Sequence, residues 1–180
     1  MAAPANVSPH YAGNSSIQFE VQDDNKKEMR IPAKDLNVVW GKDPRYWKIP
    51  DDDKSSLELN QVYWLEVTTC VDKTNPKKVY EVGFDVSLSA DAFGWGDAPL
   101  YLMVKRGNAG KFVWKKYPMT IPSYNTEEHR EIKGRSSLDQ ESEDPCPKLH
   151  FGLYEVWSGK WKGGLKINHA FVREVTGDQL

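Results

Sequence analysis

Hydrophobic and polar residues alternate with a period of two over most of the chain. Residues 80–88 set Tyr, Val, Phe, Val and Leu against Glu, Gly, Asp and Ser, which is typical of a strand with one buried face. Residues 100–104 repeat the pattern, and a Gly-Asn-Ala-Gly turn at 107–110 leads into residues 111–115, so a hairpin is predicted there. Further strands are predicted at residues 61–68, 149–156 and 164–174, with a short one at 36–40.

Helical periodicity is nearly absent from the sequence. Only residues 56–59 are predicted to form a turn of helix, and residues 127–132 are predicted to form a polar edge strand. Many short alternating strands separated by Pro and Gly turns indicate an all-β fold. We therefore predict a mostly antiparallel β-sandwich of two sheets, similar to a jelly roll or a carbohydrate-binding module.

The same pattern predicts one folded domain between two tails. Residues 1–26 are small and polar and are predicted to form a mobile N-terminal tail, although the alternation at 17–21 leaves a short added strand open. The β-sandwich domain is predicted to span residues 27–176, followed by a C-terminal tail at 177–180. Residues 134–147 are rich in charged residues, Ser and Pro and are predicted to form a long mobile loop.

Length and charge narrow the function classes. A chain of 180 residues has room for one domain with a full core. Its formal net charge of −2 and pI near 6.1 give no overall attraction to nucleic acid or anionic membranes, and its apolar runs are too short to cross a bilayer. The first 25 residues lack a secretory signal pattern, so we expect a cytoplasmic protein with access to the nucleus. Cys70 and Cys146 leave one bridge or two thiols open, and reduced thiols are the expectation in a reducing cytosol.

The sequence lacks the motifs of the common catalytic and metal-dependent classes. It has no Gly-x-Ser-x-Gly elbow, no glycine-rich phosphate loop and no His-Glu-x-x-His. Asp51, Asp52 and Asp53 are expected to form a solvated loop, because consecutive carboxylates on an extended chain cannot converge on one ion. The sequence therefore predicts a protein that is not an enzyme and that holds no metal or other cofactor.

The composition is unusual in its aromatic content, with seven Trp and eight Tyr. A sugar ring presents axial C–H groups that pack on an indole face, so an exposed Trp is a natural saccharide contact. Trp40 and Trp47 lie on either side of a Gly/Asp/Pro turn. Trp47 is expected to be an exposed platform, with a core position as the alternative. Trp40 falls on the same side of the alternating pattern as Val38 and is therefore expected to be buried. In the alternating pattern of its predicted strand, Glu155 falls on the same face as the apolar residues Leu149, Phe151 and Leu153. Its carboxylate must therefore be paired, hydrogen-bonded or opened to a cleft.

The remaining tryptophans are assigned by the same pattern. Trp64 and Trp114 lie in predicted strands and are expected in the core. Trp95 is flanked by glycines in a loop, so it either plugs one end of the sandwich or contacts a ligand. Trp157 and Trp161 belong to a fourth aromatic segment near the end of the chain.

These aromatic motifs follow one another in an order that resembles the phloem protein 2 and Nictaba-type family of plant lectins. The motifs are Trp, Asp-Pro and Tyr-Trp at 40–47, Trp-Leu-Glu at 64–66, Tyr-x-Val-x-Phe at 80–84, Gly-Trp before a Pro-started strand at 94–99, and a Glu strand leading to Trp-Lys-x-Gly at 155–164. The resemblance covers about residues 30–175. It implies a β-sandwich lectin, without catalysis or a required metal, that binds N-acetylglucosamine oligomers and the N-glycan core of glycoproteins.

The resemblance also implies site residues. Carried over by position, Trp40, Trp47 and Glu155 are the residues that bind the carbohydrate. A second acid of the family pattern lies upstream of Glu155 in the same strand, and this chain has Lys148 there, with acids nearby at 143–144. That departure leaves the exact glycan specificity open.

A second function class stays open beside the lectin. An RNA- or protein-binding phloem scaffold with lost or altered sugar binding would use basic residues beside aromatic ones, such as the run at 160–162. The slightly negative net charge makes nucleic acid the less favoured partner. The sequence leaves a homodimer open and predicts no membrane insertion, and the resemblance implies phloem sieve elements as a location.

Overall fold

The computed structural model describes residues 7–14, 16, 18–23, 26–120, 128–136 and 146–176. Apart from loops and turns, these residues form strands, with a single turn of 3-10 helix, η1, at Ala33–Asp35. The strands are β1 (Phe19–Asp23), β2 (Lys26–Pro32), β3 (Asn37–Val38), β4 (Trp47–Lys48), β5 (Leu57–Leu59), β6 (Leu65–Val71), β7 (Tyr80–Phe93), β8 (Leu100–Arg106), β9 (Val113–Tyr117), β10 (Arg130–Arg135), β11 (Leu149–Glu155) and β12 (Gly163–Glu174).

The strands form two antiparallel sheets. One sheet has the order β3-β6-β11-β8-β9. In the other, β12 pairs with β7 along one side and with β2 and β5 along the other side, while β1, β4 and β10 extend the sheet outward. The predicted all-β, two-sheet antiparallel sandwich is therefore confirmed.

The core lies between the two sheets, because the apolar parity of each long strand faces inward. Strand β11 buries Leu149, Phe151 and Leu153 and turns the alternate residues outward. The ring of Phe84 in β7 lies 5.4 Å from the ring of Phe151, measured between centroids, and so joins the two sheets. The hairpin predicted from the Gly-Asn-Ala-Gly turn is formed by β8 and β9.

Several elements differ from the sequence prediction. The helical turn predicted at residues 56–59 is wrong: Leu57–Leu59 form strand β5, in which Leu57 and Leu59 bury their side chains while the strand pairs with β4 and β12. The predicted polar edge strand is shifted to β10, which pairs with β7. The part of the predicted loop at 137–145, and the C-terminal tail at 177–180, lie outside the described residues.

The segment predicted as an N-terminal tail is partly built into the sandwich. Strand β1 pairs with β2, so the added strand that the alternation left open is present. Further upstream, Tyr11 forms a bridge with Val38 through two backbone hydrogen bonds of 2.9 Å. The Tyr11 hydroxyl also donates to the Lys34 carbonyl at 2.7 Å. β1 thus pairs at the edge of one sheet and Tyr11 at the edge of the other. Periodicity alone does not predict such edge pairing.

Two further observations concern the cysteines and the question of membrane-spanning helices. Cys70 and Cys146 do not form a disulfide bond with each other. Among the described residues, no helix has the length and hydrophobicity that a membrane span requires.

Candidate functional site

Glu155 is the last residue of β11, and its side chain points into the protein at one end of the sandwich. Its side chain is 2% exposed and forms an ion pair with Lys162, whose side chain is fully buried. One oxygen of Glu155 accepts a hydrogen bond from the backbone N–H of Ser158 at 2.9 Å, and the other accepts from the Ser158 hydroxyl at 2.8 Å. The Lys162 ammonium also donates to the Tyr63 carbonyl at 3.0 Å. Both charges are thus satisfied inside the protein.

The environment of Glu155 keeps the carboxylate charged. Burial alone would raise its pKa, but the hydrogen bonds from Lys162 and Ser158 outweigh burial and hold the pKa below its ordinary value. Of the three alternatives that the sequence leaves for this acid, the structure shows pairing together with hydrogen bonding. Because its oxygens are buried and already bonded, Glu155 holds the following turn in place and is not displayed as a surface acceptor.

The turn that Glu155 holds presents two exposed tryptophans. Residues 156–162 connect β11 to β12, and within them Trp157 is 61% exposed and Trp161 is 48% exposed. Gly159 has a φ of 65°, a conformation that glycine adopts at little cost. The Lys160 ammonium pairs with Asp97 at 3.0 Å, which ties the turn to the loop after β7.

Trp161 lies in a group of aromatic rings at this end of the sandwich. Its ring centroid is 5.3 Å from that of Tyr63 and 6.3 Å from that of Tyr46. Tyr46 in turn lies 6.1 Å from Trp40. We call these four residues, Trp40, Tyr46, Tyr63 and Trp161, the loop-end surface. It combines two exposed rings with two half-buried ones, and it is open to solvent along the Trp161 and Tyr63 rings.

Trp40 is half-buried because its backbone breaks the alternation of the preceding residues. It has a φ of 64°, in the left-handed region, which is uncommon for a residue with a large side chain. Its N–H donates to Nδ1 of His10 at 3.0 Å, and the two rings meet edge to face at 5.6 Å. The expected burial of Trp40 is therefore only partial.

The expectation that Trp47 forms an exposed platform is wrong, because its side chain is only 1% exposed. The turn at 43–46 is closed by hydrogen bonds from the N–H groups of Tyr46 and Trp47 to the Asp43 carbonyl. Tyr46 takes the outward position after this turn, and Trp47 enters the core as the first residue of β4. Within the described residues its Nε1 has no hydrogen-bond partner. A cavity of about 450 Å³ adjoins it, lined by Gly41, Lys42, Pro44, Lys48, Ile49 and Asn60.

Three other tryptophan assignments are settled by the structure. Trp64 is 42% exposed and Trp114 is 65% exposed, so their expected core positions are wrong. Trp64 precedes β6, and Trp114 occupies the outward parity of the edge strand β9. Trp95 is fully buried and donates from Nε1 to the Gly163 carbonyl at 2.9 Å, which confirms the plug and not the ligand contact.

The residues that sequence reasoning missed are Tyr46, Tyr63, Trp161 and Lys162. Three of them lie in the aromatic motifs and Tyr63 lies directly before one, and the structure places all four in loops or at strand ends, where a period-two pattern does not assign a face. Lys148, at the position of the second family acid, is exposed and lies just before β11. It is seven residues from Glu155, about 23 Å along a strand at about 3.3 Å per residue, so the two side chains cannot contact one sugar ring. The acids at 143–144 lie outside the described residues.

No group of three or more His, Cys, Asp or Glu side chains in the described parts of the chain is arranged to hold a metal ion. In the acidic run at 51–53, the carboxylate of Asp52 accepts hydrogen bonds from Lys54 and Ser55 in an exposed turn. This is the solvated loop that the sequence predicts.

Comparison with known proteins matches most of the chain to one family. A family model described as Phloem protein 2 matches residues 26–174. The chain is 39% identical over 183 residues to Protein PHLOEM PROTEIN 2-LIKE A9 of Arabidopsis thaliana, covering 93% of this chain and 97% of that protein. It is 27% identical to Protein PHLOEM PROTEIN 2-LIKE A1 of the same plant, covering 87% of this chain and 65% of that protein.

Similarity to solved structures is weaker. The CBM22-1 xylan-binding domain of Paenibacillus barcinonensis Xyn10C is 14% identical with a TM-score of 0.41, and the match covers 98% of this chain and 99% of that domain. The Stig cyclase Fisc of Fischerella sp. TAU is 12% identical with a TM-score of 0.45, over 92% of this chain and 82% of that chain. One of these is a xylan-binding domain and the other is a cyclase, so they do not identify a ligand for the present chain.

Proposed function

The chain belongs to the phloem protein 2 family, and we propose that it is a non-catalytic lectin that binds N-acetylglucosamine oligomers and the N-glycan cores of glycoproteins. Membership of this family of lectin-like proteins supports carbohydrate binding in general. The observation that favours this function on the chain itself is the loop-end surface, where Trp161 and Tyr63 leave 48% and 46% of their side chains exposed beside Tyr46.

The residues at this end of the sandwich would have different roles in sugar binding. Trp161 provides the stacking face for the apolar side of a sugar ring, and the Tyr46 and Tyr63 rings extend that face. Glu155, through Ser158 and Lys162, fixes the turn that presents Trp161. Trp47 supports Tyr46 from the core and does not touch the sugar.

The shape of the loop-end surface favours oligosaccharides over single sugars. Its rings lie at the protein surface and do not enclose a deep pocket, unlike the concave sites that bury most of a small ligand. Affinity on an open surface grows with the number of rings that it contacts. We expect the N-acetylglucosamine trimer to bind more tightly than the monomer. The proposed setting is the cytoplasm and nucleus, where glycoproteins with accessible N-glycan cores would be the partners.

A calorimetric titration with the monomer and the trimer tests the proposal. For the wild-type protein we expect the trimer to bind and the monomer to bind weakly. Trp161→Ala should lower the trimer affinity about tenfold, equivalent to about 1.4 kcal/mol, within the range of about 1–3 kcal/mol for aromatic stacking on nucleic-acid bases. The thermal midpoint should stay close to that of the wild type, because half of the Trp161 side chain is already in solvent.

Phe19→Ala provides the matched control, because Phe19 is 46% exposed on β1 and lies outside the loop-end surface. Its trimer affinity should equal that of the wild type. Unchanged affinity in a folded Trp161→Ala variant would refute the assignment of the site. Binding of single-stranded RNA that weakens steeply with salt, without any response to sugar, would favour the nucleic-acid alternative.

A further inference from the structure

The outward face of the five-stranded sheet has a second aromatic surface that the proposed function does not use. Opposed residues on neighbouring strands form a row across this face: Glu66 on β6, Tyr154 on β11, Tyr101 on β8 and Lys116 on β9. At about 4.8 Å between neighbouring strands, the row is about 14 Å long. We call Tyr101, Trp114, Tyr154 and Trp157, with Glu66, the sheet-face surface.

Two exposed indoles flank the centre of this row. The ring of Trp157 meets the Tyr101 ring at 4.8 Å and the ring of Trp114 meets it at 5.8 Å, both in edge-on contacts. Trp157 is 61% exposed and Trp114 is 65% exposed. Large aromatic side chains left side by side in water are uncommon in a stable soluble domain and mark an interaction surface.

The Tyr154 ring packs closely on the sheet beside Gly152. A Cβ atom built on Gly152 would lie 2.8 Å from the Thr68 methyl group and 3.0 Å from the Tyr154 ring. The Tyr154 ring therefore lies low over the sheet at Gly152, where a larger residue would push it outward. Burial, with a smaller contribution from the Glu66 charge, raises the pKa of the Tyr154 hydroxyl to about 12, so the hydroxyl stays protonated at neutral pH.

Hydrogen-bonding groups lie at the ends of the row. The Glu66 carboxylate accepts from Nε1 of Trp64 at 3.0 Å and retains free lone pairs. Lys116, at the other end, is exposed. Further along β8 on the same face, the Lys105 ammonium lies 5.2 Å from the centroid of the Phe112 ring. The row itself thus carries one negative and one positive charge, with uncharged rings between them.

We propose that the sheet-face surface is a second glycan-binding site, separate from the loop-end surface, that takes a neutral oligosaccharide lying across the strands. Aromatic rings with a hydroxyl and a carboxylate beside them match the alternating C–H and O–H groups of a sugar chain. A nucleic acid would require a line of cations along its phosphates, and the balanced charges of the row do not provide one.

The turn at residues 156–162 contributes one tryptophan to each of the two surfaces. Trp157 contacts Tyr101 on the sheet-face surface, whereas Trp161 contacts Tyr46 and Tyr63 on the loop-end surface. The hydrogen bonds from Ser158 to Glu155 lie between the two tryptophans in sequence and hold the turn that carries both. One chain with two such surfaces could bind two segments of a branched or extended glycan, which raises avidity without new contacts.

Fluorine NMR of the full chain labelled with 5-fluorotryptophan tests this inference, because each of the seven Trp residues gives its own signal. The probes are the N-acetylglucosamine trimer and the β-1,4-linked glucose trimer, and single Trp→Phe variants assign the signals. We expect at least one probe to shift the Trp114 and Trp157 signals in the wild type and also in Trp161→Ala. Trp114→Ala, read on the Trp157 signal, and Trp157→Ala, read on the Trp114 signal, should each raise the dissociation constant of this site at least tenfold, while Phe19→Ala leaves it unchanged.

The outcomes separate this site from the proposed one. Shifts at Trp161 alone, with Trp114 and Trp157 unaffected by both probes, would overturn the second site and leave the loop-end proposal intact. Shifts at Trp114 and Trp157 alone would support the second site and overturn the loop-end proposal. Silence at all three tryptophans overturns both. If a single-stranded oligonucleotide shifts Trp114 and Trp157 and neither sugar does, the glycan assignment is wrong.

Discussion

At the scale of single residues, the central feature is an ion pair that connects the core to the surface. The charged groups of Glu155 and Lys162 are almost completely buried, yet each also bonds to a loop, through Ser158 and the Tyr63 carbonyl. Burying charges is costly, and a pair is tolerated when hydrogen bonds satisfy both partners. This pair therefore fixes the geometry of the aromatic loops more than it adds to net stability.

We expect Glu155→Gln to destabilise the protein by about 3–5 kcal/mol, because it leaves the Lys162 ammonium buried without a counter-charge. Urea unfolding measures this change. The double variant Glu155→Gln/Lys162→Met should recover a large part of the loss, since it removes the orphaned charge. A single variant as stable as the wild type would show that the pair does not form in solution.

At the scale of elements, the end of β7 and the turn before β12 depend on each other. The loop that follows β7 has Gly94, Trp95 and Gly96, and Trp95 is a buried plug. Gly94 has a φ of 82° and lies directly against the backbone of Trp161 and Lys162. Around Gly96, in contrast, no heavy atom lies within 4 Å of a built Cβ. Of the two glycines, Gly94 is thus the one whose conformation and neighbours require a residue without a side chain.

Gly94→Ala should be strongly destabilising, whereas Gly96→Ala serves as its control. An added methyl at position 94 would collide with the Trp161 carbonyl, and the left-handed conformation alone costs a non-glycine residue about 1–2 kcal/mol. We expect a loss above about 2 kcal/mol for Gly94→Ala and a change within about 0.5 kcal/mol for Gly96→Ala, as for ordinary surface substitutions. Thermal unfolding of both variants measures this difference, and equal midpoints would refute the proposed contact.

At the scale of the whole molecule, charged groups make the sandwich sensitive to acid. Burial raises the pKa of Glu28, but hydrogen bonds from Arg30 and Arg173 outweigh it and lower the pKa overall. The hydrogen bond from Arg173 likewise lowers the pKa of Glu131, and that from Lys162 lowers the pKa of Glu155 against the effect of burial. A lowered carboxyl pKa stabilises the fold above its ordinary value of 4.5 and loses that contribution as the pH falls through the folded value.

Two histidines add to this dependence at higher pH. Burial, with smaller effects from nearby lysine or arginine charges, lowers the pKa of both His150 and His169 below 6.5, so both favour the folded state in their neutral forms. We therefore expect the thermal midpoint to be flat near neutral pH, to decline gently below about pH 6.5, and to fall more steeply below about pH 4.5. Calorimetry across this range tests the order of the two phases, and a midpoint that rises on acidification would contradict it.

The sequence by itself determined the architecture. Alternation with a period of two sets which residues of a long strand face the core, as in β7, β8 and β11, because the pleat sends successive side chains to opposite faces. The order of the aromatic motifs identified the family, and the parity of Glu155 indicated a carboxylate on the core face that must be paired, hydrogen-bonded or opened to a cleft.

Tertiary structure decided which aromatic rings meet solvent. Trp47 and Tyr46 are neighbours, and the turn that places one inside and the other outside is defined by backbone hydrogen bonds that no periodicity encodes. Trp114 follows a strand parity, but that parity points to the outward face of the five-stranded sheet, where its side chain is exposed. Trp161 lies in a turn fixed by Glu155 and packed against Gly94. Period two distinguishes the two faces of a strand, whereas exposure depends on what packs against each face, and only the assembled sheets settle that.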